Sequence, residues 1–159
     1  MSTRVGFGFD VHRIREGRSC ILGGVHIPHH SGPDGHSDAD VLIHAICDAL
    51  LGAAGLRDIG FHFPDTDPAF KNADSRKLLE KVVELVTRKG YRVGNIDSTV
   101  VLEEPKINPY IDAMKSEMAK VIGILPDDIG IKATTNESMG FIGRGEGATA
   151  YAVALLETL

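Results

Sequence analysis

Asp10 and His12 stand two residues apart in an alternating stretch, Arg4-Val-Gly-Phe-Gly-Phe-Asp-Val-His12. Residues two apart on a strand share a face, and a carboxylate beside an imidazole suits Zn²⁺ or a similar divalent metal. Val5, Phe7, Phe9 and Val11 take the alternate positions and are expected to pack inward. Gly6 and Gly8 then leave room beside the polar pair. His44 offers a third donor. It follows Asp40 by four residues in Gly35-His-Ser-Asp-Ala-Asp-Val-Leu-Ile-His44, where helical apolar spacing begins. Ser37 is the expected N-cap, with Asp40 completing a capping box. Two imidazoles, one carboxylate and an open fourth position describe a catalytic rather than a structural zinc site. Asp38 or Asp40 would stand behind a histidine ligand. Each cluster alone reads first as a solvated strand end or a capped helix; metal is the reading that uses both.

Phosphate chemistry is written in the last third. Ala133-Thr-Thr-Asn-Glu137 ends a strand with two hydroxyls, an amide and a carboxylate. Thr134, Thr135 and Asn136 can meet phosphate oxygens, and Glu137 can hold a hard cation such as Mg²⁺. Gly140-Phe-Ile-Gly-Arg-Gly-Glu-Gly147 surrounds Arg144 with glycines. Arg144 is a phosphate fork or the partner of Glu146. Lys106, in the loop Glu103-Glu-Pro-Lys106, either meets an anion or is solvated.

The elements that must position these groups follow. A strand holds Asp10 and His12, and a helix beginning near Ser37 holds His44. Cys20–Ile27 reads as a strand pair turning at Gly23-Gly24, and Pro28–Gly35 as a loop. Gly52–Asp74 is a long irregular stretch, and its acidic part from Asp58 to Asp67 is a candidate lid over a site. Helices are expected at Ser75–Lys89, capped by Asp74, and from Tyr110 to Ile122. Strands are expected at Tyr91–Glu103 and Ile129–Thr135. Gly147–Leu156 is ambiguous, its alanines favouring helix locally. Strands alternating with helices give a single α/β sandwich domain over residues 1–159.

Composition narrows the function. With 22 acidic against 17 basic residues the net charge is −5, and no basic run exceeds two residues. A nucleic-acid surface is not expected, nor a membrane segment. Cys20 and Cys47 form no CxxC pair and read as reduced thiols of a cytoplasmic protein.

Phe9-Asp-Val-His12, Gly35-His-Ser-Asp-Ala-Asp40, Gly52-Ala-Ala-Gly-Leu-Arg-Asp-Ile-Gly60, Phe63-Pro-Asp-Thr-Asp67, Ala73-Asp-Ser75 and Gly140–Gly147 occur in order. Together they resemble the 2-C-methyl-D-erythritol 2,4-cyclodiphosphate synthase family of the non-mevalonate isoprenoid pathway, from Arg4 to Leu156. The resemblance implies intramolecular phosphoryl transfer. In 4-diphosphocytidyl-2-C-methyl-D-erythritol 2-phosphate the 2-phosphate attacks the β-phosphorus, and CMP leaves. It implies Zn²⁺ on Asp10, His12 and His44, and Mg²⁺ on Glu137 with the diphosphate. It implies catalytic contacts from His36 and Thr135, with Ser37 on the phosphate. Asp58, Ile59, Gly60 and Phe63, Pro64, Asp65, Thr66, Asp67 would surround the methylerythritol unit. Leu102, Glu103, Glu104, Pro105, Lys106, Ile107, Asn108 and Ala133 would hold the cytidine. Thr134, Asn136, Phe141 and Arg144 would complete the substrate contacts. The implied fold is an α+β sandwich with a four-stranded mixed sheet on helices, assembled as a homotrimer with active sites between subunits. Gly147–Leu156 is then a strand, and Arg144 and Glu146 line a trimer axis that holds an isoprenoid diphosphate in some relatives. Glu103-Glu104 and Pro28-His-His-Ser31 depart from the family's usual residues. A zinc phosphohydrolase and a noncatalytic nucleotide-binding trimer remain as alternatives.

Overall fold

The computed structural model describes residues 1–159. Strand β1 (Thr3–Glu16) runs antiparallel to β7 (Gly147–Thr158), in register from Thr3↔Glu157 to Arg13↔Gly147. On its other side β7 pairs antiparallel with β5 (Tyr91–Val101), and β5 pairs parallel with β6 (Ile129–Thr134). A short strand β4 (Ser31–Asp34) lies on the outer edge of β1. The mixed sheet therefore has five strands, ordered β4-β1-β7-β5-β6, where four were expected. The added strand comes from the segment expected as loop. It contains Pro33, which an edge strand tolerates because one side of it needs no ladder donor. Strands β2 (Cys20–Leu22) and β3 (Val25–Ile27) form the expected hairpin. Gly23 and Gly24 take its turn at φ +57° and +77°, a conformation that favours glycine.

Helix α1 (Val41–Ala53) lies across β1 and β7. Its position corrects the reading of β1. The covered face carries the glycines, and the apolar face is the open one. A Cβ on Gly8 would stand 1.8 Å from the Ala45 carbonyl oxygen, and one on Gly6 would stand 2.0 Å from that of Ala49. No side chain fits there, so only glycine lets the helix come down on the strand. Val5 and Phe7 point the other way, 68% and 63% exposed, with Phe9, Val11, Tyr151 and Val153 beside them. Strand β7 meets the helix with Ala148, Ala150, Ala152 and Ala154, all buried. Those alanines favour helix in isolation, but the close helix above demands small side chains at every second position of a strand.

Helix α1 is apolar on nearly all sides because α3 (Ser75–Arg88) covers it from above. Leu78, Leu79, Val82 and Val86 form the buried face of α3. Asp74 caps its first turn and Gly90, at φ +96°, follows its end, as expected. Helix α4 (Ile111–Ile122) packs on α3 and provides the crossover between parallel β5 and β6. The stretch after α1 is more ordered than expected, with α2 (Ile59–His62) and a 3₁₀ turn at Pro68–Phe70. A single turn, α5 (Gly140–Gly143), precedes β7. No helix is long and apolar enough to cross a membrane.

Candidate metal centre and nucleotide cleft

The close seat of α1 on β1 brings His44 to the pair it was expected to join. Oδ2 of Asp10 lies 2.8 Å from Nε2 of His12 and 3.1 Å from Nδ1 of His44, and those two nitrogens are 3.2 Å apart. Donors around a tetrahedral Zn²⁺, at about 2.0–2.1 Å from the ion, stand roughly 3.3 Å apart. The three atoms therefore form one face of such a tetrahedron.

Hydrogen bonds behind the donors settle which nitrogen faces inward. Nδ1 of His12 lies 3.1 Å from the Asp34 carbonyl, which can only accept, so Nδ1 carries the proton and Nε2 the lone pair. The Ser75 hydroxyl donates to Asp38, so its oxygen accepts from Nε2–H of His44 at 2.9 Å. Nδ1 of His44 is then the free donor. Ser37 Oγ stands 3.2 Å from the same Nε2. Burial would raise the Asp10 carboxyl, but when the two rings are protonated their hydrogen bonds and positive charge outweigh it and hold it at about 2. Burial would lower the His44 imidazole, but hydrogen bonding to Asp10 and its charge prevail and raise it. A divalent cation would take the place of the protons that these three donors share.

Asp40 does different work from that expected. It, rather than Ser37, is the N-cap of α1. Its carboxylate accepts from Ile43 N at 3.0 Å, Gly23 N at 3.0 Å and Gly24 N at 2.7 Å. It ties the β2–β3 turn to the helix and never reaches His44's ring. Burial, then the charge of Asp38, pushes its carboxyl up to about 6 against those backbone donors. Asp38 is the carboxylate behind the histidine, acting through Ser75. Ser75 entered the sequence reading only within Ala73-Asp-Ser75 and as a helix start, with no role at the site attached, and Asp48, which holds the start of α2 through Ile59 N at 2.7 Å, was not named there. Asp48 had a signal, as a lone acid within an otherwise apolar helix.

Around the triad lies a cleft of ≈ 560 Å³. It is lined by His12, Gly35, His36, Ser37 and His44, and by Ile59, Gly60, Phe63, Pro64, Asp65 and Thr66 from the acidic segment. Phe70 and Leu78 complete its wall. Nε2 of His36 donates to the Asp67 carbonyl at 3.0 Å, which pins the segment to the metal side. The carboxylates of Asp58 and Asp67 turn aside to cap Phe61 N and Ala69 N.

A second, separate cleft of ≈ 230 Å³ is lined by Leu102, Glu103, Pro105, Lys106, Ile107, Asn108, Ala133, Thr134 and Thr135. It shares no lining residue with the first. Glu103 accepts from Asn136 N at 2.7 Å and Ser138 N at 3.4 Å, which braces the turn carrying Glu137. Glu137 is exposed, at φ +53°. Glu104, Phe141 and Arg144 line neither cleft. Arg144 pairs with Glu146 at 3.1 Å on the surface.

A family model described as the YgbB family matches residues 3–157. The 2-C-methyl-D-erythritol 2,4-cyclodiphosphate synthase of Bacteroides thetaiotaomicron is 59% identical over 157 residues, covering 99% of each chain. Among solved structures, the bifunctional IspDF of Campylobacter jejuni superposes with a TM-score of 0.96 at 43% identity. That match takes 99% of this chain and 43% of the bifunctional one. A CDP complex of IspF from Plasmodium falciparum gives a TM-score of 0.87 at 32% identity, over 99% of this chain and 97% of that one.

Proposed function

The chain belongs to the YgbB family, and from that premise we infer that it is a cyclodiphosphate synthase. It converts 4-diphosphocytidyl-2-C-methyl-D-erythritol 2-phosphate to 2-C-methyl-D-erythritol 2,4-cyclodiphosphate and CMP. A 2-phosphate oxygen bonds to the β-phosphorus as the bond from that phosphorus to the bridging oxygen breaks. CMP departs with the bridging oxygen. This reading rests on the convergence of Asp10, His12 and His44 donors beside a cleft that the two histidines and the 59–66 segment line.

The donor set fits Zn²⁺, two imidazoles and one carboxylate with both histidine tautomers fixed. When bound, the ion supplies Lewis-acid polarisation of a phosphate oxygen and a template for the reacting groups. The chain's own residues do the rest. His36 and Ser37 meet the phosphate beside the triad. His36 has one nitrogen committed to Asp67, so its Nδ1 donates when the ring is protonated. Ile59, Phe63 and Phe70 line the cleft with apolar surface and exclude water, which matters because hydrolysis is the competing reaction. Pro64, Asp65 and Thr66 surround the methylerythritol. The second cleft holds the cytidine through Leu102, Glu103, Pro105, Lys106, Ile107, Asn108 and Ala133, with Thr134 and Thr135 toward the diphosphate. Glu137 offers one carboxylate to Mg²⁺, an ion that takes few protein ligands alongside substrate phosphates. The protein acts by positioning and charge neutralisation, as phosphoryl transfer requires.

Two features support a homotrimer with sites between subunits. The metal cleft and the nucleotide cleft are separate on one chain. The sheet face with Val5, Phe7, Phe9, Val11, Tyr151 and Val153 is apolar and uncovered, as an oligomer interface is. Phe141 and Arg144 then act from the interface, Arg144 and Glu146 near the axis where some relatives hold an isoprenoid diphosphate. A cytoplasmic setting agrees with two free buried cysteines. The test is stoichiometric release of CMP by the zinc- and magnesium-loaded enzyme, abolished by chelation, with no inorganic phosphate. Inorganic phosphate as product favours a hydrolase on the same scaffold instead.

A further inference from the structure

Outside the catalytic triad, a second set of metal-ligating side chains comes together. One donor atom from each of His29, His30 and Glu104 lies within 4.8 Å of the others. The two histidines belong to the connection between β3 and β4, and Glu104 follows β5, so the fold joins segments more than seventy residues apart. Successive side chains of an extended strand point to opposite sides. Here the backbone bends at His30, and the two imidazole rings lie side by side with centroids 4.1 Å apart. Glu16 holds Nδ1 of His30 at 2.8 and 3.0 Å. That fixes the ring, makes Nδ1 the protonated nitrogen and leaves Nε2 with its lone pair, as carboxylates do behind histidine ligands.

We propose that His29, His30 and Glu104 form a second site for a borderline divalent transition metal, Zn²⁺ being the natural occupant. Two imidazoles and a carboxylate select Zn²⁺, Ni²⁺ or Cu²⁺ over Mg²⁺ and Ca²⁺, which prefer all-oxygen shells. Three protein donors leave a fourth position open to the adjoining hollow, which Arg144 also lines. Bound metal ties the β3–β4 connection to the loop from Leu102 to Asn108, whose other residues line the nucleotide cleft. None of these ligands belongs to the Asp10–His12–His44 triad, so the site stands or falls apart from the catalytic reading.

The test counts metal and does not read activity. Chelator-stripped full-length protein is titrated with Zn²⁺ against a chromophoric competitor, for wild type, His30→Gln, Glu104→Gln and His44→Ala. Two equivalents per chain are expected for wild type. His30→Gln should retain only the triad equivalent, and Glu104→Gln should weaken the second at least tenfold. His44→Ala should lose the triad equivalent and keep the other. His30 and Glu104 are exposed, so unchanged circular dichroism is expected to accompany each loss. One equivalent in wild type overturns the proposal, and so does a second equivalent that Glu104→Gln leaves at full affinity.

Discussion

Oδ2 of Asp10 and Nδ1 of His44 meet at 3.1 Å although 34 residues separate them in the chain. They meet because β1 presents glycine to the helix that carries His44. Gly8→Ala would place a Cβ 1.8 Å from the Ala45 carbonyl oxygen. Backbone cannot yield there as a flexible side chain would, so α1 must lift or the chain must unfold. A loss of more than about 3 kcal/mol is expected in chemical denaturation, with the triad's zinc equivalent lost in any folded fraction.

Ser75 offers a subtler test of the same geometry. His44→Ala removes a ligand and should abolish triad zinc and activity while leaving the fold intact. Ser75→Ala removes the nearer acceptor of the protonated His44 nitrogen, together with the link from it to Asp38, and leaves Ser37 Oγ at 3.2 Å. Zinc affinity should fall roughly 10–100-fold, read by competition with a chelator, with the equivalent still bound at saturating metal. Unchanged affinity would mean that the tautomer is set elsewhere.

Asp40 makes stability depend on pH in a definite direction. Its folded carboxyl titrates at about 6, above the ordinary 3.8. Between those values the folded state holds more protons than the unfolded state, so this contribution to stability falls as pH rises. It is fully present below about pH 4 and lost through pH 6. Asp40→Asn cannot titrate, so its penalty relative to wild type should be larger at pH 4 than at pH 7, by about 1–3 kcal/mol. Denaturation curves for both proteins at the two pH values measure it. An equal penalty at both would contradict a buried, proton-binding Asp40.

The two clefts, separate on one chain, set up a complementation experiment. His44→Ala spoils the metal half, and Ala133→Tyr fills the nucleotide half. If each active site takes one half from each of two neighbours, co-assembly of the two inactive variants at equal amounts restores about a quarter of the sites. Turnover of co-expressed, co-purified variants reads this directly. Activity no higher than either variant alone would place both halves within one subunit.

The convergence of Asp10, His12 and His44 was more legible in the sequence than the surfaces that bury it. Asp10, His12 and His44 declared themselves by residue type and by periods of two and four. Which side of β1 is covered did not, because a two-residue period defines two faces without saying which one meets a helix. The large apolar residues drew the inference inward, whereas the decisive signal was the pair Gly6 and Gly8. In β7 the same signal was present as Ala148, Ala150, Ala152 and Ala154, small residues at every second position, and helix propensity obscured it. Ser75 was illegible because a serine opening a helix already has an ordinary explanation. Asp40 was misassigned for a related reason: cap and second-layer acid look alike until the turn at Gly23-Gly24 folds back onto it.

The chain closes a ring and does not deliver water to phosphorus. Phosphorus NMR of the zinc- and magnesium-loaded protein with 4-diphosphocytidyl-2-C-methyl-D-erythritol 2-phosphate reads this directly. The coupled signals of a cyclic diphosphate should rise in step with CMP as the substrate signals fade. Inorganic phosphate in their place, or an unchanged spectrum with both metals bound, would contradict it.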